Sequence, residues 1–362
     1  MLSIVSAVVV IAVLIFVHEL GHFTFAKLFN VKVLVFSLGF GPALLKKRIG
    51  DTEYRLSVLP LGGYVKMLGE NEDEEPKETD EKISEDDRTR SYANQANWKK
   101  LLILIAGPFS NLVFAFLFLW VVFLHGVPYL TTKIGEVKQG SPAYSAGVQK
   151  GDSITEINGT HVHDWDDMKK IITANPDKEL SITIERNNKP FLVKVKPEIM
   201  PEKDIFGETV NVPIIGITPA GEFEMRKSNP LYSFVLAGNE TWNISSLVVL
   251  SLVKLIEGKI PTKELGGPIL IAQQAAKQAR RGLIALMYFA ALIGINFAIL
   301  NILPIPVLDG GNILFTLVEA VIRKPINKKV KLAILQLGVL FIILLTVFVF
   351  YNDISRILTS HH

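Results

Sequence analysis

Long apolar runs alternate with polar stretches along the chain and give the first indication of its fold. Four runs have the length of about 20 residues that a helix needs to cross a bilayer. They cover residues 2–29, 101–124, 283–303 and 332–351. A fifth run at 244–256 is shorter and contains Lys254, which favours an interfacial helix. The pattern predicts a polytopic α-helical membrane protein with four transmembrane helices.

Lysine and arginine predict which side of the membrane each loop faces. They are concentrated after the first run and again between the third and fourth runs. Loops that are rich in these residues near the membrane stay on the cytoplasmic side. Four spans place both loops there, whereas a fifth span at 244–256 would move the second loop outside. We therefore expect a multi-pass protein with both termini extracytoplasmic.

The stretch at 31–68 alternates between apolar and polar residues in the manner of strands. It predicts a small antiparallel sheet on the cytoplasmic face of the membrane; an amphipathic surface loop is the alternative. An extended substrate can add to a sheet edge as a strand. This makes Gly62, Gly63 and Tyr64 candidate substrate-binding residues. The acidic run from Glu70 to Asp87 predicts a solvated, disordered loop.

Composition narrows the possible chemistry. The chain has 362 residues, is 49% hydrophobic, and has a net charge of +3, so no strongly basic field indicates nucleic acid as a partner. It contains no cysteine. Any metal ligands must therefore come from histidine and carboxylate side chains.

The pentapeptide His18-Glu19-Leu20-Gly21-His22 closes the first apolar run. Histidines four positions apart lie on one face of a helix, so both imidazoles can reach one zinc ion. A glutamate between them can accept the proton of an attacking water molecule. The alternative is a pair of interfacial histidines beside a satisfied glutamate. Because ionisable groups at membrane depth are costly, the pattern favours a hydrolytic site near the cytoplasmic edge.

A catalytic zinc ion needs a third protein ligand and an open position. Asp309 ends the stretch NILPIPVLD, which follows the third run and reaches the depth of His22. Its two prolines free backbone groups, which is tolerated at this depth only where protein or a cavity satisfies them. We predict Asp309 as the third ligand; an interfacial Asp-Gly-Gly turn is the alternative. Asn111, after the helix-breaking Pro108, either points at the site or joins two helices by a hydrogen bond.

Three motifs together resemble the site-2 protease family. They are HELGH, the Asn-x-x-Pro-x-Pro-x-Leu-Asp-Gly stretch from Asn301 to Gly310, and the Gly-Pro-x-x-Asn of the second run. The match is strongest to its bacterial RseP/RasP-type intramembrane zinc metalloproteases and covers nearly the whole chain.

The resemblance implies that His18, His22 and Asp309 bind Zn²⁺ and that Glu19 is the catalytic base. It implies that Asn301 helps to hold the substrate backbone. It also implies a location in the inner membrane of a bacterium and a PDZ domain on the outer side. The substrates it implies are membrane proteins with a single transmembrane segment, such as anti-sigma factors and remnant signal peptides.

Residues 130–198 are soluble in composition and contain PDZ-like stretches at 141–152 and 154–159. The chain has room for one PDZ domain, unlike the two-domain members of the resembled family. We expect residues 134–137 to border a groove that binds an extended peptide ligand. A steric filter that binds no peptide is the alternative.

These patterns divide the chain into eight segments. The predicted segments are a first span with HELGH at 1–29, a cytoplasmic membrane-associated β-sheet with the acidic loop at 30–97, a second span at 98–125, a PDZ domain at 130–198, an extracytoplasmic linker with amphipathic helices at 199–281, a third span with the LDGG segment at 282–312, a cytoplasmic loop at 313–331 and a fourth span at 332–352.

The sequence thus predicts an intramembrane zinc metalloprotease that cleaves transmembrane segments in regulated intramembrane proteolysis. Two other classes stay open. One is a non-catalytic scaffold that recruits peptides through the PDZ domain. The other is a zinc transporter, although the ionisable residues cluster at one depth and form no chain across the bilayer.

Overall fold

The computed structural model describes residues 2–70, 85–262 and 265–359. Most of the acidic run predicted as a disordered loop, residues 71–84, lies outside the described residues. The chain forms two compact units. We call them the helical unit, which comprises Met1–Val122 and Leu231–His362, and the β unit, which comprises Phe123–Pro230.

The helices of the described residues are α1 (Leu2–Leu28), α2 (Glu85–Thr89), α3 (Asn97–His125), α4 (Pro142–Ser145), α5 (Trp165–Thr173), α6 (Pro230–Ile256), α7 (Pro268–Arg281), α8 (Leu283–Ile302), α9 (Asp309–Ile322) and α10 (Lys328–Thr359). The strands are β1 (Val33–Ile49), β2 (Thr52–Met67), β3 (Val127–Leu130), β4 (Ile134–Val137), β5 (Ser153–Ile157), β6 (Thr160–His161), β7 (Leu180–Arg186), β8 (Lys189–Val195), β9 (Glu198–Lys203), β10 (Thr209–Ile214), β11 (Ile217–Pro219) and β12 (Phe223–Arg226).

Four helices within the described residues are long and apolar enough to cross a membrane, namely α1, α3, α8 and α10. The apolar run at 244–256 forms the second half of the 27-residue helix α6, which is not one of the four. Many large apolar side chains of α10 are exposed, as expected for a helix that faces lipid on most sides. The stretch at 313–331, predicted as a loop, contains most of α9.

Strands β1 and β2 form a small sheet in the helical unit, with several register shifts. Residues 35–38 of β1 pair with residues 53–56 on one side and with residues 63–66 on the other. Strand β2 therefore bends around this part of β1. The partners of residues 63–67 all lie within 33–38. Within the described residues, the other side of segment 63–67 is therefore a sheet edge without a strand partner.

The β unit is built around one apolar core. Its largest sheet has the strand order β6-β5-β7-β8. Inward side chains of these strands pack with α5 and with Ile134 and Ile215 into one buried cluster. Strand β11 pairs with β4, and β12 pairs with β3. These long-range pairings extend the unit to Pro230, well beyond residue 198, because its first strands need partners from the later segment.

The pairing of β4 overturns one expectation from the sequence. One edge of β4 binds β11, and its other edge binds the segment that precedes β5, through Ile134 N–H to the Asp152 carbonyl and Gly151 N–H to the Ile134 carbonyl. The prediction that residues 134–137 border an open groove is therefore wrong. Within the described residues, the unpaired edge belongs to β11 instead.

Candidate metal centre

Helix α1 places the two histidines of HELGH on one face. The rings of His18 and His22 lie 4.8 Å apart, edge to face. Their Nε2 atoms are 3.2 Å apart, so both nitrogens point to the same place. This geometry follows from the helical repeat, which brings residues i and i+4 together.

Asp309 reaches the same place from the other end of the chain. Its Oδ2 atom lies 3.1 Å from His18 Nε2, and its Oδ1 atom lies 3.4 Å from His22 Nε2. Ligand atoms bound tetrahedrally at about 2.0 Å from a zinc ion are about 3.3 Å from each other. The spacing of the three groups therefore fits zinc. This is the only group of three or more candidate ligands that close together within the described ranges.

The turn before α9 brings Asp309 to the histidines. Val307 has a φ of 87°, which is rare for a β-branched residue and reverses the chain after the second proline. A Cβ atom on Gly310 would collide with the carbonyl oxygens of Ile302 and Leu303. Asp309 is the first residue of α9, where the helix dipole favours a carboxylate. Gly310 and Gly311 are therefore required for lack of space, since a Cβ atom on Gly311 would also lie 2.5 Å from the Ile305 carbonyl oxygen.

The outer nitrogen of His22 has a fixed partner. His22 Nδ1 lies 2.8 Å from the backbone carbonyl oxygen of Ile103 in α3, to which it donates when it carries the proton. This bond keeps Nε2 deprotonated and free for a metal ion. The sequence gives no signal for Ile103, because every residue type carries a backbone carbonyl that can accept this hydrogen bond.

Helices α1 and α3 lie close together beside the two histidines because glycines stand at the contact. A Cβ atom on Gly107 would lie 2.9 Å from His18 Cε1 and would collide with His22 Nε2. A Cβ atom on Gly21 would collide with the Ala106 carbonyl oxygen and with Ser110 Oγ. The small residues of the second apolar run thus allow the backbones of α1 and α3 to touch at the site.

Glu19 faces the sheet. A Cβ atom on Gly63 would lie 2.9 Å from Glu19 Cγ. The backbone amide of Val65 donates a hydrogen bond to the Glu19 carboxylate. The sheet edge at 63–67 therefore runs directly beside the candidate catalytic base.

The other predicted substrate-binding residues occupy different positions around this site. Tyr64 stacks on Phe40, with ring centroids 6.2 Å apart. Gly62 has a φ of 144°, and a Cβ atom there would collide with the same Phe40 ring. Asn301 is half-buried in the last turn of α8, just before the turn that carries Asp309. Asn111 is only 1% exposed and lies where α3 meets α8.

Comparisons with known proteins identify the family. Residues 6–345 match the sequence model described as "Peptidase family M50". The chain belongs to peptidase family M50. This confirms the resemblance to site-2 proteases, and the match extends from within α1 to within α10.

Two relatives match this chain over nearly their whole length, and both are named "Putative zinc metalloprotease". Cj1068 of Campylobacter jejuni is 39% identical over 98% of this chain and 93% of its own. RC0203 of Rickettsia conorii is 35% identical over 99% of both chains. With the ligand geometry of His18, His22 and Asp309, the family makes this M50 protein a zinc-dependent metalloprotease of a membrane.

Two solved PDZ domains also match part of the chain. The PDZ domain of an SdrC-like protein, Lmo2051, from Listeria monocytogenes is 26% identical to this chain. The match covers 26% of this chain and 90% of the solved chain, with a TM-score of 0.21. A Listeria innocua counterpart, Lin2157, matches with 24% identity and a TM-score of 0.20.

Proposed function

We propose that this M50 protein cleaves peptide bonds within or next to the transmembrane segments of membrane proteins, as a step of regulated intramembrane proteolysis. The observation that carries the proposal is the position of Glu19. In a helix long enough to cross a membrane, it lies close to the three predicted zinc ligands His18, His22 and Asp309 and beside a sheet edge without a strand partner.

The residues of the site divide the hydrolytic work. His18, His22 and Asp309 would hold the zinc ion. When bound, zinc polarises a scissile carbonyl and lowers the pKa of water toward about 7. Glu19 accepts the proton of the attacking water and later delivers it to the leaving amine.

The sheet edge supplies the conformation that hydrolysis needs. A peptide bond inside a helix is shielded, and its carbonyl is already hydrogen-bonded, so the substrate helix must unwind before attack. Segment 63–67 has no strand partner on its outer side, so the extended strand that results can be added there. Gly63 permits close approach to Glu19, and Gly62, Tyr64, Asn301 and Asn111 complete the proposed substrate contacts.

The orientation of the protein follows from the positive-inside rule. Both termini and the β unit, proposed here as one PDZ domain, are extracytoplasmic, and the metal centre lies near the cytoplasmic face of a bacterial inner membrane. The substrates are proteins with a single transmembrane segment, of the kinds represented by anti-sigma factors and remnant signal peptides.

The β unit then selects substrates, by binding a peptide or by size. Its unpaired edge, β11, ends in Pro219, which has no N–H to donate to an added strand. A peptide ligand of the PDZ domain would therefore make few backbone hydrogen bonds, which favours size selection over peptide capture.

Substitution of the base tests the proposal. Glu19→Gln keeps the size of the side chain but cannot accept the proton. In detergent, we expect zinc stoichiometry equal to that of the wild type and loss of cleavage of a membrane-spanning substrate. Glu319→Gln in α9 is the matched control, because the amide oxygen can still accept from Ile326 N–H. Continued cleavage by Glu19→Gln would exclude the proposed role.

A further inference from the structure

Two buried polar atoms near the metal centre have no hydrogen-bond partner among the described residues. They are Nδ1 of His18 and Oδ1 of Asn111. A buried polar group without a partner costs about 1–3 kcal/mol, so each calls for an explanation. The contrast with His22 is direct, since Nδ1 of His22 lies 2.8 Å from the Ile103 carbonyl oxygen.

The two atoms are complementary. When Nε2 of His18 faces a metal ion, Nδ1 carries the proton and must donate. The carbonyl oxygen of an asparagine side chain can only accept. One atom is therefore a donor without an acceptor, and the other is an acceptor without a donor.

Helix geometry places the two groups within one turn of each other. A Cβ atom on Gly107 would lie 2.9 Å from Cε1 of His18, the ring atom bonded to Nδ1. Asn111 follows Gly107 by one turn on the same face of α3. A Cβ atom on Gly294 would lie 3.0 Å from Leu14, one turn before His18, and 3.6 Å from the Asn111 backbone oxygen.

We propose that Asn111 is a positioning residue for the metal ligand His18, and that one buried water molecule links Nδ1 of His18 to Oδ1 of Asn111. A direct bond does not form in the structure, whereas a buried water needs two or more polar partners and finds a donor and an acceptor here. The link fixes the tautomer and the ring orientation of His18, as Ile103 does for His22. This inference rests on the proposed function and replaces the substrate contact proposed there for Asn111.

Zinc release tests the inference without relying on turnover. We expect purified full-length Asn111→Leu to release zinc to a chelator roughly 10- to 100-fold faster than the wild type. After exchange of zinc for cobalt, its visible absorption bands should shift. Asn111→Asp keeps an acceptor oxygen, so we expect release no faster than that of the wild type.

The matched control is Asn296→Leu in α8. Asn296 donates to the Leu292 carbonyl within its own helix, so the substitution removes a half-buried amide whose hydrogen bond stays inside α8. We expect the release of zinc from this variant to match that of the wild type.

Three outcomes would overturn the inference. The first is wild-type zinc release from Asn111→Leu, and the second is fast release from Asn111→Asp as well, which would show that an acceptor oxygen at this position does not hold His18. The third is an Asn111→Leu protein that keeps its zinc and its cobalt spectrum but has a raised KM, which would return Asn111 to substrate binding. All three leave the proposed function intact, because that function fails only if the wild type holds no zinc or Glu19→Gln still cleaves.

Discussion

The metal centre of the helical unit and the core of the β unit are packed by different kinds of residues, although one chain builds both. In the β unit the interior consists of large branched side chains, among them Ile154, Leu180 and Ile182. Around the metal centre, the closest contacts come from Gly21, Gly107 and other small residues. Burial of large apolar groups releases free energy in water, but lipid offers no such gain, so a membrane interior depends on close backbone contact and polar bonds.

Buried charge differs in the same way. In the β unit, Asp152 is buried but accepts hydrogen bonds from Arg186 at 2.8 Å, so the protein supplies its own counterion. At the metal centre, the carboxylate of Asp309 faces two imidazoles that must be neutral to bind a metal. Asp309 therefore needs a metal ion as its counterion, whereas the counterion of Asp152 is a side chain of the same unit.

The largest expected effect is at the closest helix crossing. Gly107→Ala would place a methyl group where the rings of both histidines lie, so we expect zinc retention at least about tenfold weaker and loss of cleavage. Zinc content after gel filtration measures this. Gly159→Ala in the β unit is the comparison; it has a φ of 75° and open space, so we expect a cost of about 1 kcal/mol and full zinc content.

The next effect is on the core of the β unit. Ile182 is fully buried, so Ile182→Ala should lower the free energy of unfolding of that unit by roughly 2–5 kcal/mol. Hydrogen exchange of strands β5 and β7 in the full-length protein measures it. We expect zinc content to stay unchanged, and a loss of zinc would show that the two units are not energetically independent.

A smaller effect depends on pH. Burial by itself raises the pKa of Asp152, but hydrogen bonds from Arg186 and from the Gln149 backbone outweigh it and hold the pKa below its ordinary value. The stabilisation is complete above the unfolded pKa of about 3.9 and is lost as the pH falls through the lower folded value. Hydrogen exchange between pH 5 and 3 should show this loss in the wild type. In Asp152→Asn the slope should be flatter, and an equal slope would contradict the assignment.

The smallest effect is expected on the lipid-facing helix. Leu344 of α10 is 60% exposed, so Leu344→Ala should change stability in detergent by less than about 0.5 kcal/mol. Thermal unfolding monitored by circular dichroism provides the measurement. A loss as large as that of Ile182→Ala would mean that α10 packs against another surface, and the contrast between the two units would then fail.

Local patterns of the sequence account for much of the molecule. The four apolar runs coincide closely with α1, α3, α8 and α10, because a span requires only length and apolar composition. The facing of His18 and His22 follows from the helical repeat alone. By contrast, the pairing of β11 with β4 joins segments that are far apart in the sequence. A strand of only three residues has too short a pattern to identify its partner. For this reason the prediction that residues 134–137 border an open groove is wrong.

The amino-acid sequence by itself determined the membrane class, the zinc-binding motif and the family, because these depend on composition and on spacing within single helices. Only the tertiary structure decided that the Ile103 carbonyl orients His22, that Gly107 makes room for both rings, and that the edge at 63–67 borders Glu19. Those three features depend on backbone groups and on free space around them. Every residue has a backbone carbonyl and amide, so the identity of a residue does not show which of them lies at the metal centre in the folded chain.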